Sequence, residues 1–229
     1  MPEEAKTDVA ARAQSMWNEL QERRNPGANG YSGSVEMLER VREYEQQNVQ
    51  FGTPAIASAK NDEIERLALL DGLTELYNFR SFIKELKAEL GRAKRYKHPV
   101  AMIMIVIDGF EELCDQYGAL TGEAVLKVIA NVLRSAVREV DIPCKYSAQH
   151  FAVILPQTNS AGAALVAERI RQRIGNQAIS HNWQSFSVTA SLGVAAYPAH
   201  AQEYDELIAR SMEALDYASE RGGDRVLSA

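Results

Sequence analysis

Apolar positions recur three and four residues apart over residues 6–24, where Ala10, Ala13, Trp17 and Leu20 form one stripe and predict a helix. Residues 25–34, rich in Gly, Asn and Ser and holding a Pro, predict a loop. A second helix follows on Met37, Val41 and Tyr44, but its stripe ends at Asn48, and residues 51–59 break the pattern. Residues 60–70 predict a short helix, capped by Asn61 or Asp62, with Ile64, Leu67 and Leu70 on one side. That stripe suits a packing helix or a stalk that pairs with a second copy.

From Asp71 the pattern alternates. Helices are predicted over 79–96, 121–138, 160–175 and 203–221. Residues 100–107, VAMIMIVI, form a short continuous apolar run, the pattern of a strand buried on both faces. Strands over 142–146 and 151–155 flank a tight turn, and 186–197 reads as one further strand. The expected fold class is α/β: a mixed sheet flanked by helices, with one hairpin at its centre. The chain divides into a helical segment (1–59), a linker helix (60–70) and a main domain (71–229).

The 229 residues carry a formal charge of -6, which argues against nucleic-acid binding and against attraction to an anionic membrane. Cys114 and Cys144 form no CxxC pair and no His/Cys cluster has metal-ligand spacing, so no metal or cofactor is expected and a reducing cytoplasm is the expected setting. The N-terminus lacks the apolar region of a signal peptide, and no apolar run approaches the ~20 residues of a membrane helix, so the chain is expected to be soluble. His150 reads as a polar residue at an exposed hairpin tip. Cys114 lacks a histidine placed to activate it.

Several ordered motifs carry a family resemblance. Asp71-Gly72-Leu73-Thr74-Glu75-Leu76-Tyr77-Asn78-Phe79-Arg80 resembles the D-x-L-T-G-L-x-N-R-R opening of GGDEF domains. Asp108-Gly109-Phe110 after the apolar strand is similar to D-x-D-x-F, and Tyr117–Glu123 to Y-G-H-x-x-G-D. Ala190-Ser191-Leu192-Gly193-Val194-Ala195 is similar to S-I-G-V-A. The resemblance covers roughly 71–227 and implies an α/β sandwich related to class III nucleotidyl cyclases. It also implies an enzyme family that condenses two GTP molecules into cyclic di-GMP with Mg²⁺.

The resembling positions are depleted of that chemistry. Ser147-Ala148-Gln149-His150-Phe151 fills the signature slot, replacing both glycines and putting a neutral amide where a metal-binding acid belongs. Val106 stands at the first acid of D-x-D, and Asp108 at the second. Cys114 replaces a guanine-reading Asn, and Glu123 a guanine-reading Asp. Ser219 and Gly223 replace a phosphate-binding Lys and Arg, with Arg221 and Arg225 nearby but out of register. No cyclase activity is therefore expected.

One family feature stands intact. The resemblance places an inhibitory-type product site at R-x-x-D, matched by Arg138-Glu139-Val140-Asp141, with Arg169 aligning with a second arginine. Guanidinium groups bond phosphate or guanine edges bidentately, and a carboxylate accepts from guanine N1–H and N2–H₂. The same residues also suit a helix end, a turn and an ordinary surface. The expected function is an inactive GGDEF signalling protein that receives cyclic di-GMP. A nucleotide-independent scaffold and a residual cyclase resting on Asp108 and Glu123 are the alternatives. The N-terminal helices are expected to pair with a second copy as a homodimer or to dock on another protein, with Trp17 as anchor, or equally to pack back on the main domain as a helical-hairpin cap.

Overall fold

The computed structural model describes residues 69–181 and 184–229. The expected helices over 6–24 and after 34, the segment boundaries at 59 and 60, and nearly all of the linker helix lie outside them. At the end of that linker, Leu70 already pairs with Tyr77 across a turn. Asp71 closes the turn, accepting from both Thr74 N (2.8 Å) and Thr74 Oγ1 (2.7 Å). Asn78 then caps α1 (Phe79–Tyr96) by accepting from Ser81 N.

The chain continues through β1 (Val100–Ile107), α2 (Phe110–Tyr117), α3 (Ala119–Ala136), β2 (Ile142–Lys145) and β3 (His150–Pro156). It ends with α4 (Ser160–Gly175), β4 (Ile179–His181), β5 (Gln184–Phe186), β6 (Ala190–Tyr197), α5 (Tyr204–Glu220) and β7 (Val226–Ser228). Five strands form one sheet in the order β2-β3-β1-β6-β7, while β4 and β5 make a separate hairpin. All pairings in the large sheet are antiparallel except β6 with β7.

Strand β1, not the hairpin, holds the centre, which corrects the expected arrangement: β2 is an edge strand. The continuous apolar run follows from that position. Ala101, Ile103, Ile105 and Ile107 join a core with Val125, Ile129 and Leu133 of α3 and Ala163, Ala167 and Ile170 of α4. Met102 points to the other face, where Ser211 of α5 donates to its sulfur. On that face Phe82 of α1 meets Tyr146 edge-on, with ring centroids 5.2 Å apart, and so packs against the foot of the β2–β3 hairpin.

Two boundaries differ from the sequence reading. The helix expected over 121–138 stops at Ala136, because Val137 is extended (φ -110°, ψ 168°) and Arg138 begins a turn. The single strand expected over 186–197 is interrupted: β5 ends at Phe186 and β6 starts at Ala190. Among the described residues, no helix is long and apolar enough to cross a membrane.

Candidate functional site

The β2–β3 turn, the end of β1 and the C-terminal turn come together on one side of the sheet. Register places Val106 opposite both His150 of β3 and Ser191 of β6. An isopropyl group therefore stands where the resemblance calls for a metal-binding acid.

The hairpin tip is built without left-handed backbone. Non-glycine residues with positive φ among the described residues are Glu75, Lys97, Gln157 and Asp224, and none lies in 147–149. The His150 carbonyl accepts from both Tyr146 N (3.0 Å) and Ser147 N (3.2 Å). Beneath the turn, buried Lys145 donates its ammonium to the carbonyls of Ser147 and Ala148. Ser147 and Gln149 are half-buried, and Ala148 is exposed.

His150 is not an exposed tip residue, as the sequence suggested. It is half-buried, with Nδ1 2.9 Å from Ser147 Oγ. Burial first, and the neighbouring Lys145 charge second, lower its pKa to about 4. The unfolded chain takes up this proton near pH 6.5, the folded one only near pH 4, so the unfolded state binds it first as pH falls. Stability should therefore drop between pH 6.5 and pH 4, by up to about 3 kcal/mol. Urea unfolding across that window should show the loss, and His150→Gln should flatten it.

Asp108 closes the arrangement from the end of β1. Its Oδ1 accepts from Ser191 Oγ at 2.7 Å. Its Oδ2 accepts from Thr189 Oγ1 at 2.7 Å and from Asp224 N at 2.9 Å. Gly223 lies against the same carboxylate, where an added Cβ would sit 2.9 Å from Asp108 Cγ. With φ of 70° at Gly223 and 47° at Asp224, the chain bends sharply into contact. The Asp224 carboxylate then pairs with Arg171 of α4, which also holds Glu168 at 2.7 Å.

Mg²⁺ requires oxygen ligands, and carboxylates serve it best. Here Val106 offers none, Gln149 offers an amide, and both Asp108 oxygens are already engaged by three donors. Among the described residues, no group of three or more His, Cys, Asp or Glu side chains is placed to hold a metal. The residues present do not fit the ion that cyclase chemistry needs. Asp108 is instead a clamp joining β1, the approach to β6 and the C-terminal turn. Asp108→Asn should turn one of its acceptors into a donor, costing about 1–3 kcal/mol by urea unfolding and speeding hydrogen exchange at Asp224 N.

The two guanine-slot residues diverge. Cys114 is half-buried, with Sγ packed against Gly122 of α3, and burial followed by Asp115 and Glu111 raises its pKa, the opposite of an activated thiol. Glu123 is exposed on α3. In the C-terminal turn, Arg225 Nε donates to Gly223 O at 3.0 Å, and Arg221 caps the end of α5.

On the other flank, residues 138–141 form a tight turn between α3 and β2. Asp141 N donates to Arg138 O (3.1 Å), and Asp141 Oδ2 accepts from Arg138 N (2.8 Å). Asp141 is only 6% exposed, and its other oxygen, Oδ1, is buried with no hydrogen-bond partner. Asp141 lines a cleft of about 250 Å³ together with Arg138, Pro99, Gln157, Asn159 and Gly162. Arg169 is exposed on α4, one turn beyond Val166 of the cleft wall, and is not part of the lining itself. Sequence reasoning missed Gln157, Asn159 and Gly162. Only the N-capping role of Asn159 ahead of a helical stripe was readable there.

A central five-stranded mixed sheet with helices on both faces defines an α/β domain. The chain belongs to the GGDEF family: residues 68–225 match the family described as "Diguanylate cyclase, GGDEF domain". It is 34% identical over 168 residues to the response regulator PleD of Caulobacter vibrioides, a match covering 72% of this chain but only 37% of PleD. In solved structures it resembles diguanylate cyclase SiaD in complex with its activator SiaC from Pseudomonas aeruginosa, at 28% identity and a TM-score of 0.69, covering 99% of this chain and 84% of that one. It shares its fold with the GGDEF domain of DgcB from Caulobacter crescentus in complex with c-di-GMP, at 23% identity and a TM-score of 0.67, over 78% of this chain and 98% of that one.

Proposed function

We propose that this GGDEF-family signalling protein does not make cyclic di-GMP but receives it, at the turn formed by Arg138 and Asp141. The observation that carries this reading is that Asp141 lines a cleft while its Oδ1 is buried without a hydrogen-bond partner. Leaving such a group unsatisfied is costly, and a ligand that donates to it recovers that cost. Guanine presents two adjacent donors, N1–H and N2–H₂, which suit a carboxylate.

A volume of about 250 Å³ is small against the ~300–1,000 Å³ of drug-sized ligand pockets, so the cleft takes one base. The phosphates then lie outside, within reach of exposed Arg138, with Arg169 further along α4. On the other flank, Val106 and Gln149 at the metal-ligand positions, with the Asp108 carboxylate engaged by three donors, support the absence of GTP turnover.

Two measurements on the full chain test this. Incubation with GTP and either Mg²⁺ or Mn²⁺ should yield no cyclic di-GMP. Thermal unfolding should shift upward with cyclic di-GMP, by the equivalent of about 2.7 kcal/mol at a hundredfold excess over Kd, and should not move with GTP and Mg²⁺. Product formation under either metal would remove the proposal, as would equal stabilisation by both nucleotides.

A further inference from the structure

Large apolar side chains left in water gather at the two ends of α3, and charges of one sign predominate around each group. At the C-terminal end, Leu165 of α4 is 75% exposed and Val140 64% exposed. Around them stand Arg134, Arg138, Arg169 and Arg173, all exposed. Arg173 of α4 reaches across to Ser135 O (2.6 Å), and Arg134 to Thr74 O (2.6 Å), which ties this surface together. None of the four guanidinium groups forms an ion pair with a carboxylate among the described residues. Glu139 in the same turn subtracts one charge and leaves the patch positive.

At the N-terminal end the signs reverse. Leu120 is 70% exposed beside exposed Tyr117. Glu111, Glu112, Asp115 and Glu123 surround them, all exposed and none paired with Lys or Arg among the described residues. The packing of Cys114 against Gly122 holds α2 and α3 together there. Leu120 and Ser135 are ~22 Å apart along the helix, at 1.5 Å per residue, so the two patches are separate surfaces.

We infer that the domain associates head to tail with a second copy of itself, the arginine-rimmed Leu165 and Val140 of one copy seating on the acid-rimmed Leu120 and Tyr117 of the next. An apolar centre within a charged rim is the usual anatomy of an interface. Both halves of the complementary pair lie on one chain, which points to a second copy rather than a foreign partner. On a chain of net charge -6, random encounters between copies are repulsive, so charge matching also selects the orientation. Such a contact joins two different surfaces and leaves one of each free, so it builds open chains or rings rather than a two-fold dimer. It needs no nucleotide, so it can fail while the ligand reading stands, and the reverse.

Analytical ultracentrifugation of the full chain tests it. At low ionic strength the average mass should climb with concentration. It should stop climbing in 1 M salt, where the Debye length falls to about 3 Å. Arg134→Glu with Arg173→Glu, and separately Glu112→Lys with Asp115→Lys, should each abolish that growth, and an equimolar mixture of the two variants should restore it. Leu165→Asp, at a position already in solvent, should weaken association at least about tenfold without altering the fold. Growth that ignores these substitutions, absence of salt-sensitive growth in the unaltered chain, or folded variants that fail to complement each other would overturn the inference.

Discussion

Replacing Gly193 with alanine should unfold the domain or cost it more than about 3 kcal/mol, the largest stability effect expected of any single methyl group here. Gly193 sits in the middle of β6, paired with Met104 of β1 and Leu227 of β7. A Cβ at this position would lie 2.1 Å from the Ser211 carbonyl oxygen and 2.3 Å from Leu215 N, both backbone atoms of α5. Backbone cannot swing aside as a flexible side chain does. Relief requires α5 to lift from the sheet, exposing Leu207, Leu215 and Ala218, all of which are buried. Gly175→Ala is the control: it meets nothing within 4 Å at the end of α4 and should be neutral or slightly stabilising. Urea denaturation of both variants decides the matter. A Gly193→Ala midpoint close to that of the unaltered chain would show that α5 does not approach β6 as described.

Asp141→Asn should weaken cyclic di-GMP binding about 100-fold or more while leaving the fold intact. The substitution is nearly isosteric, and the amide oxygen can still accept from Arg138 N, as Oδ2 does now at 2.8 Å. The amide nitrogen then takes the place of the buried, unpartnered Oδ1, turning an acceptor into a donor. Guanine would meet donor against donor. Losing a charged hydrogen bond and leaving its partners unsatisfied is worth about 3 kcal/mol, which is the 100-fold expected. Equilibrium dialysis reads the affinity, and an unchanged melting curve separates lost recognition from lost structure. If Asp141→Asn binds as well as the unaltered chain, the buried oxygen is not what reads the ligand.

The parts of this molecule that sequence made legible share a physical reason. Strand β1 could be read because a strand buried on both faces must be apolar throughout. The longer helices could be read because each buries one stripe. Helix α2 escaped because it spans only eight residues, buries none of them fully and has no side-chain cap. Strands β4, β5 and β7 span three residues each, too few for alternation to register.

The candidate site divides in the same way. Substitutions such as Gln149 and Val106 could be read one position at a time. What Asp108 does could not, because its partners Thr189, Ser191 and Asp224 lie 81 to 116 residues away in the chain. Sequence offered Asp108 as a surviving acid for metal, whereas its carboxylate is filled by donors from the fold itself. His150 was misjudged for a related reason: a turn position suggests exposure, but Lys145 and Ser147 draw it inward. For Arg138 and Asp141, the family resemblance supplied the pair, while the unpartnered oxygen that gives the pair meaning appears only in three dimensions.

Calorimetric titration of cyclic di-GMP into the full chain, with GTP and Mg²⁺ as the parallel ligand and Arg138→Ala alongside, tests the central claim most directly. Saturable binding of cyclic di-GMP that is lost in Arg138→Ala, with no heat from GTP, is the predicted result. Heat from GTP, or cyclic di-GMP binding that Arg138→Ala leaves unchanged, would contradict it.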